Sequence, residues 1–135
     1  CTPAIAQLDA IPFKSGLNKV KLGFHDEAIQ EFEKAAWDEP KNFEIQFNLG
    51  TAYLTIGEFE QAIVNLTRAI ELNPKSSDAL GNRAVAHLAI GEDDKSQIDK
   101  DEAIKHGAFP DGLNAVLDIV KDKRNNSDPF KNLQN

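Results

Sequence analysis

Apolar residues in the middle of the chain recur at helical spacing in two successive runs. Steps of three and four residues place them on one stripe of each run, as in amphipathic helices. Gly57 lies between the runs and Pro74 follows the second; glycine tolerates the backbone of a sharp reversal, whereas proline cannot continue a helix. The pattern predicts two helices joined at Gly57. Their stripes are Ile45, Leu49, Ala52, Tyr53 and Ile56, then Phe59, Ala62, Ile63, Leu66, Ala69 and Ile70.

The same pattern returns at an interval of 34 residues on either side of this unit. Pro40 matches Pro74, whereas the third copy has Ala108 at that place. A single helix pair cannot bury its apolar faces alone, so a fixed period of this size predicts stacked repeats. The residues in register are Gly23, Gly57 and Gly91, then Ala28, Ala62 and Ser96, then Ala35, Ala69 and Ala103.

The middle unit, residues 43–76, resembles a tetratricopeptide repeat. That repeat has the pattern Trp-x2-Leu-Gly-x2-Tyr, followed by Ala-x3-Phe and a proline. Gln46 departs from the tryptophan, and Leu66 replaces the phenylalanine with another large apolar residue. The resemblance extends over about residues 9–110 and implies an all-α, right-handed superhelix of about seven helices. The matching residues are Gln46, Leu49, Gly50, Tyr53, Ala62, Leu66 and Pro74.

The repeats and their flanks divide the chain into segments. Residues 1–8 are predicted to be an extended lead-in or tether. A capping helix over about residues 111–123 carries one apolar stripe, as the end of a repeat array requires; the stripe is Leu113, Val116, Leu117 and Val120. Residues 124–135 are polar and are predicted to be a flexible tail. The tetratricopeptide domain thus spans residues 9–123, with repeats at about 9–42, 43–76 and 77–110.

Composition narrows the class of partner. The formal net charge of −7 argues against nucleic-acid binding, which requires a basic surface. No run of about 18 apolar residues is present, so the sequence predicts no transmembrane segment. We therefore expect a protein or peptide partner, while the oligomeric state is left open.

Cys1 is the single cysteine, and the chain contains no methionine. Cys1 is therefore a candidate lipid anchor, since a mature bacterial lipoprotein begins with a lipid-modified cysteine. Alternatively, Ala4-Ile5-Ala6 resembles a signal-peptidase site, or residue 1 is simply the boundary of a fragment. The first two readings predict export, to a bacterial periplasm or a thylakoid lumen, and the third leaves a cytoplasmic location open.

No catalytic constellation is found in the sequence. His25, His87 and His106 do not share a stripe with a nucleophile, and His87 is predicted to be a packing histidine in the place of Tyr53. Neither a P-loop nor a dinucleotide-binding glycine motif occurs, so no cofactor is expected. The sequence predicts a protein that is not an enzyme.

An acidic stretch at residues 92–102 contains six acidic residues and two lysines. It reads either as a solvated face at the end of the array or as a docking patch for a basic partner. Asp99, Asp101 and Glu102 lack the order of a calcium loop, so no metal site is predicted. Trp37 is predicted to pack against the first helix of the next repeat, the other reading being a ligand platform.

The resemblance implies a binding surface. In tetratricopeptide proteins the first helices of the repeats line the concave side, where peptides or partner helices bind. Some members hold a terminal carboxylate there with cations, but Phe13, Leu17 and Asp78 are not cations, so apolar burial is expected instead. The alternative reading is that the apolar residues pack between adjacent first helices. The predicted groove is Phe13, Leu17, Val20, Phe47, Asn48, Thr51, Leu54, Asn82, Val85 and Leu88.

Two functions follow as expectations. The first is a non-catalytic protein–protein interaction module, acting as an adaptor, scaffold or assembly factor. The alternative is a constitutive small structural subunit of a larger complex, membrane-associated through Cys1, that contacts the complex through its edges and tail.

Overall fold

Seven α-helices and no strand make up the part of the chain that the computed structural model describes, namely residues 2–127, 130 and 133, with side chains from residue 11 onward. The expectation of an all-α chain with about seven helices is confirmed. The helices are α1 (Thr2–Lys21), α2 (His25–Asp38), α3 (Phe43–Ile56), α4 (Phe59–Leu72), α5 (Ser77–Ala89), α6 (Asp93–Lys105) and α7 (Pro110–Asn126).

The turns inside the three predicted repeats share one backbone geometry. Gly23, Gly57 and Gly91 have φ values of 81°, 84° and 85°, in the left-handed region that favours glycine. At the middle turn the Gly57 amide donates to the Leu54 carbonyl, and the next amide donates to the Tyr53 carbonyl. These bonds satisfy carbonyls that the end of α3 would otherwise leave without partners. The glycine period therefore reports a real, repeated helix reversal.

The amino end of the chain differs from the expectation. α1 begins at Thr2, so the expectation of an extended lead-in is wrong for residues 2–8. Alanine, glutamine and leucine in this stretch are good helix formers, and Pro3 lies in the first turn, where proline is tolerated. Pro12 lies inside α1, where its missing amide removes one backbone hydrogen bond. Cys1, the candidate lipid anchor, lies outside the described residues.

The chain divides into two compact units, which are Cys1–Pro74 and Lys75–Asn135. In the first unit, α1 packs on α2, α2 on α3, and α3 on α4. In the second unit, α5 packs on both α6 and α7. Each unit therefore contains helix pairs of the predicted kind.

Close approach of the paired helices in the first unit depends on two glycines. A Cβ added to Gly16 of α1 would lie 2.5 Å from the Phe32 ring of α2, and one added to Gly50 of α3 would lie 2.7 Å from Cγ of Leu66 on α4. Phe32 and Leu66 are fully buried. Each glycine thus provides the space that the large side chain of the partner helix fills.

The second unit uses a different arrangement at the same register. Ala84 takes the place of the glycine and Lys100 the place of Phe32 and Leu66. The Ser96 hydroxyl donates to the Ala84 carbonyl at 2.8 Å, in the buried space between α5 and α6. In the second unit a hydrogen bond from the residue in register with Ala28 and Ala62 thus joins the two helices, and no large apolar side chain stands opposite Ala84.

The capping helix extends past its predicted end at residue 123. α7 runs to Asn126, so the flexible tail does not begin at residue 124 as expected. Arg124 donates to the Leu88 carbonyl at 2.8 Å and forms an ion pair with Asp93, which fixes the last turn of α7. Beyond it, the described residues of the predicted tail are Ser127, Phe130 and Leu133, and all three are exposed.

Trp37 does not pack as predicted. Its side chain is 87% exposed, so the expected contact with the next first helix is wrong. The buried face of α2 consists of Ala28, Ile29, Phe32 and Ala35. Trp37 follows Ala35 by two residues, which places it about 200° around the helix, away from that face.

Replacing Gly50 with alanine should destabilise the first unit. Overpacking against Leu66 costs about 1–3 kcal/mol, and the higher helix propensity of alanine returns up to about 1 kcal/mol. We expect a net loss of about 1–2 kcal/mol in the free energy of unfolding, measured in urea. Gly81→Ala is the matched control, because a Cβ there would lie at an ordinary 3.6 Å from Leu113 and should be neutral or stabilising. Equal effects of the two changes would contradict the packing argument.

Candidate functional site

The α1 part of the predicted groove lies partly in the core. Phe13 and Leu17 are half-buried and pack around the cluster that contains Phe32 and Leu49. The Phe13 and Phe32 rings are tilted, with centroids 5.8 Å apart. Val20 is exposed near the end of α1. Phe13 and Leu17 therefore hold α1 on α2 and leave only part of their surface to a ligand.

The α3 part of the groove carries an aromatic stack. The Phe47 ring lies on the Phe43 ring, with centroids 5.7 Å apart and an interplanar angle of 11°. One turn of helix separates these residues, so the helix itself sets the stack. Asn48 donates through its side-chain amide to the Glu44 carbonyl at 2.8 Å. Thr51 and Leu54 follow on α3 and are half-buried.

In the second unit, α7 covers part of the predicted groove. Leu88 is only 7% exposed and belongs to a buried cluster with Ala84 and Leu117. Val85 packs against the same cluster, and Asn82 is half-buried. Leu88 therefore acts as a core residue beneath α7 and offers little surface to a ligand. This contact is with the capping helix α7 and not with the first helix of a neighbouring repeat.

A buried polar pair replaces the family tryptophan in the middle unit. Gln46 donates to the Pro40 carbonyl at 3.0 Å and accepts from the Asn65 amide at 3.0 Å. Both side chains are buried, so each hydrogen bond satisfies a group that water cannot reach. This pair was not predicted, although Gln46 stood out as the departure from the repeat pattern.

The second unit contains a buried ion pair that the sequence reading also missed. Arg83 of α5 donates to both carboxylate oxygens of Asp99 on α6, each at 2.7 Å. Asp99 is 4% exposed. A signal existed in the register: Arg83 occupies the place of Leu49, a position on the core stripe. A charged residue there implies a buried partner, which the α6 sequence supplies.

His87 is buried, as its packing role predicted. Its Nε2 atom lies 3.7 Å from Asp99, and its Nδ1 atom lies 3.6 Å from Glu92. Burial lowers the pKa of His87 below its ordinary value, and this outweighs the opposite effect of the two carboxylates.

The acidic stretch at residues 92–102 is largely paired with neighbours in its own unit. Glu92 forms an ion pair with Lys95, and Asp93 with Arg124. The hydrogen bond from Arg124 lowers the pKa of the Asp93 carboxyl. Glu102 lies near Lys105, and Asp101 accepts from Gln97. Among the side chains that the structure describes, no three His, Cys, Asp or Glu residues are placed to hold a metal ion.

Tyr53 links α3 to α2 through a hydrogen bond from its hydroxyl to the Glu33 carboxylate. Burial raises the pKa of Tyr53 to about 12, with a further contribution from the charge of Glu33.

None of the described helices is long and apolar enough to cross a membrane.

Comparison with known proteins identifies the repeat. Two tetratricopeptide-repeat family models match the sequence, one at residues 43–76 and the other at residues 65–98. The first match coincides with the middle unit, α3 and α4. A search of curated proteins finds no match to this chain.

Solved structures share the fold over most of the chain. The first tetratricopeptide domain of Spaghetti (RPAP3), bound to the HSP90 peptide SRMEEVD, is 22% identical with a TM-score of 0.75, covering 87% of this chain and 93% of that domain. The second such domain of human RPAP3, in complex with the HSP70 peptide SGPTIEEVD, is 24% identical with a TM-score of 0.75, covering 85% and 97%. The MamA protein is 25% identical with a TM-score of 0.77, covering 89% of this chain and 66% of MamA.

The titration of Tyr53 tests the α2–α3 link. Tyr53 is the only tyrosine, so its ionisation can be followed alone by ultraviolet absorbance. We expect a midpoint near pH 12 in the folded protein, against about 10 for an exposed tyrosine. Glu33→Gln should lower the midpoint, because it removes the nearby negative charge. Because the folded pKa is the higher one, the stabilisation from this group should be lost as pH rises from 10 through 12. A midpoint near 10 in the folded protein would contradict the link.

Proposed function

We propose, on the premise that the chain is a tetratricopeptide-repeat protein, that it is a non-catalytic protein–protein interaction module acting as an adaptor, scaffold or assembly factor. The partner is a peptide or a helix that lies on the first helices of the repeats. The tetratricopeptide repeat is in general an interaction fold, and two domains of the same fold are bound to chaperone peptides.

The observation that carries the proposal is the α3 surface. Phe47, Thr51 and Leu54 lie along one side of α3 and stay half-buried, and Phe43 fixes the Phe47 ring by stacking. A ring held in place loses little conformational freedom when a ligand covers it, so its burial contributes more to affinity. Asn48 lies beside them and offers a polar group at the edge. Phe13, Leu17 and Val20 of α1 extend the proposed surface within the first unit. Asn82 and Val85 of α5 are proposed as a separate surface in the second unit.

The chemistry of the partner follows from the residue types. A terminal carboxylate requires cations for tight binding, whereas Phe13, Leu17 and Asp78 stand at the places where a carboxylate-binding repeat would carry them. Apolar side chains on α3 instead favour a partner segment with apolar or aromatic residues. We therefore propose that binding persists at high salt, since buried apolar area is not screened.

A second candidate function is a structural subunit of a larger complex, and the outer face of α7 favours it. Val116 and Ile119 are 47% and 56% exposed on that helix, and Phe109 is exposed just before it. The end of a free array is normally polar on its outer side. Under this proposal the complex covers α7, and α3 is not required for assembly.

Two substitutions on α3 test the first proposal. Partners are purified with the native protein, and the retention of each is then measured with the variant Phe47→Asp/Leu54→Asp. We expect at least about a tenfold loss in affinity, because two charges would be placed where apolar groups are buried. Circular dichroism would verify that the helices remain folded.

The control is Val64→Asp, which changes an exposed apolar residue on α4. It should leave binding unchanged. Retention of all partners by the α3 variant would reject the groove. Loss of binding on Ile119→Asp instead would support the structural-subunit proposal.

A further inference from the structure

The third helix pair is joined by charges where the second pair is joined by neutral groups. In the second pair, Asn65 of α4 bonds to Gln46 of α3. In the third pair, the residue in register with Asn65 is Asp99 of α6, and it binds Arg83 of α5. The two helix pairs thus share a fold and a register. Only the third pair is joined through a side chain that can gain or lose a proton, the carboxylate of Asp99.

His87 lies at the centre of this charged cluster and is 7% exposed. Asp99 faces its Nε2 atom from α6, and Glu92 faces its Nδ1 atom from the turn before α6. Nδ1 is buried and finds no hydrogen-bond partner among the residues that the structure describes. The imidazole therefore separates two carboxylates without a close bond to either.

Each of these carboxylates already has a cation of its own. Arg83 forms an ion pair with Asp99, and Lys95 forms one with Glu92. On the remaining side, Arg124 of α7 is bound to Asp93 and to the Leu88 carbonyl. When His87 is neutral, the two positive and two negative charges of these ion pairs cancel. Protonation would add one positive charge to a side chain that is largely removed from water, and both facing carboxylates are already paired.

We infer that His87 is an acid-sensitive switch, whose protonation releases α6 from α5 while the first unit stays closed. Apolar burial resists this release only weakly, because Ala103 is the one buried apolar residue of α6. Lys100 stands where Phe32 and Leu66 fill the first two helix pairs. This inference concerns regulation and does not depend on which partner the protein binds.

The sign of the effect follows from proton linkage. The folded pKa of His87 lies below its ordinary value of 6.5, so opening of the helix pair is coupled to proton uptake. The stabilisation is complete above pH 6.5 and is lost as pH falls from there through the lower folded value. Each unit of pKa difference changes the opening equilibrium by about tenfold once the pH is below both values.

Hydrogen exchange of backbone amides between pH 8 and pH 5 tests the switch in the full chain. After correction for the intrinsic pH dependence of exchange, α6 amides should lose protection several-fold as pH falls. The amides of α4 provide an internal control, because Gln46 and Asn65 do not titrate, and they should stay constant. Equal loss in α4 and α6, or no loss in α6, would overturn the inference.

Single substitutions distinguish the contribution of His87 to the pH effect from the contributions of the other two histidines. His87→Gln should give α6 protection that no longer changes between pH 8 and pH 5. His25→Gln and His106→Gln should retain the wild-type change. If His87→Gln does not fold, Lys95→Gln gives the second readout. It frees Glu92 to pair with protonated His87, which brings the folded pKa of His87 closer to its ordinary value, so the loss of α6 protection between pH 8 and pH 5 should become smaller. A loss in Lys95→Gln as large as in the wild type, or a retained change in His87→Gln, would reject the switch.

Discussion

Close approach of two helices within each repeat is the constraint on which the rest of the structure depends. Gly16 admits Phe32, and Gly50 admits Leu66, so each large side chain is fully buried against the backbone of its partner helix. Only a residue without a Cβ leaves this space. The left-handed glycine at each turn then returns the chain so that the two faces meet.

The third repeat satisfies the same constraint by other means. Ala84 closes the space that a glycine would leave, and the large apolar residue opposite is absent. Ser96 and the Arg83–Asp99 pair join α5 to α6 instead. A buried ion pair is strongly destabilised by the loss of either charge. The stability of the α5–α6 pair therefore depends on the charges of its side chains. The repeats are therefore alike in backbone and unlike in what stabilises them.

Periodicity in the sequence predicted the helices and turns, because both depend on local residue types. Gly23, Gly57 and Gly91 located the reversals, and the apolar stripes located the helix pairs. The start of α1 was missed because helix-forming residues before Pro12 outweighed the rule against interior proline. The burial of Leu88 was missed since a repeat gives equivalent positions equal weight, whereas only the last repeat has α7 beside it. The bond between Arg83 and Asp99 depends on side-chain geometry between two helices, which spacing alone does not specify.

The most direct test of the central constraint is a double-mutant cycle on Gly50 and Leu66, with the free energy of unfolding measured in urea. Leu66→Ala alone should cost about 2–5 kcal/mol, as expected for a fully buried leucine. In that background the space opposite residue 50 is vacant, so adding Gly50→Ala should cost at least about 1 kcal/mol less than it does in the wild type. Strict additivity of the two changes would show that the glycine and the leucine do not share the space, and would contradict the account.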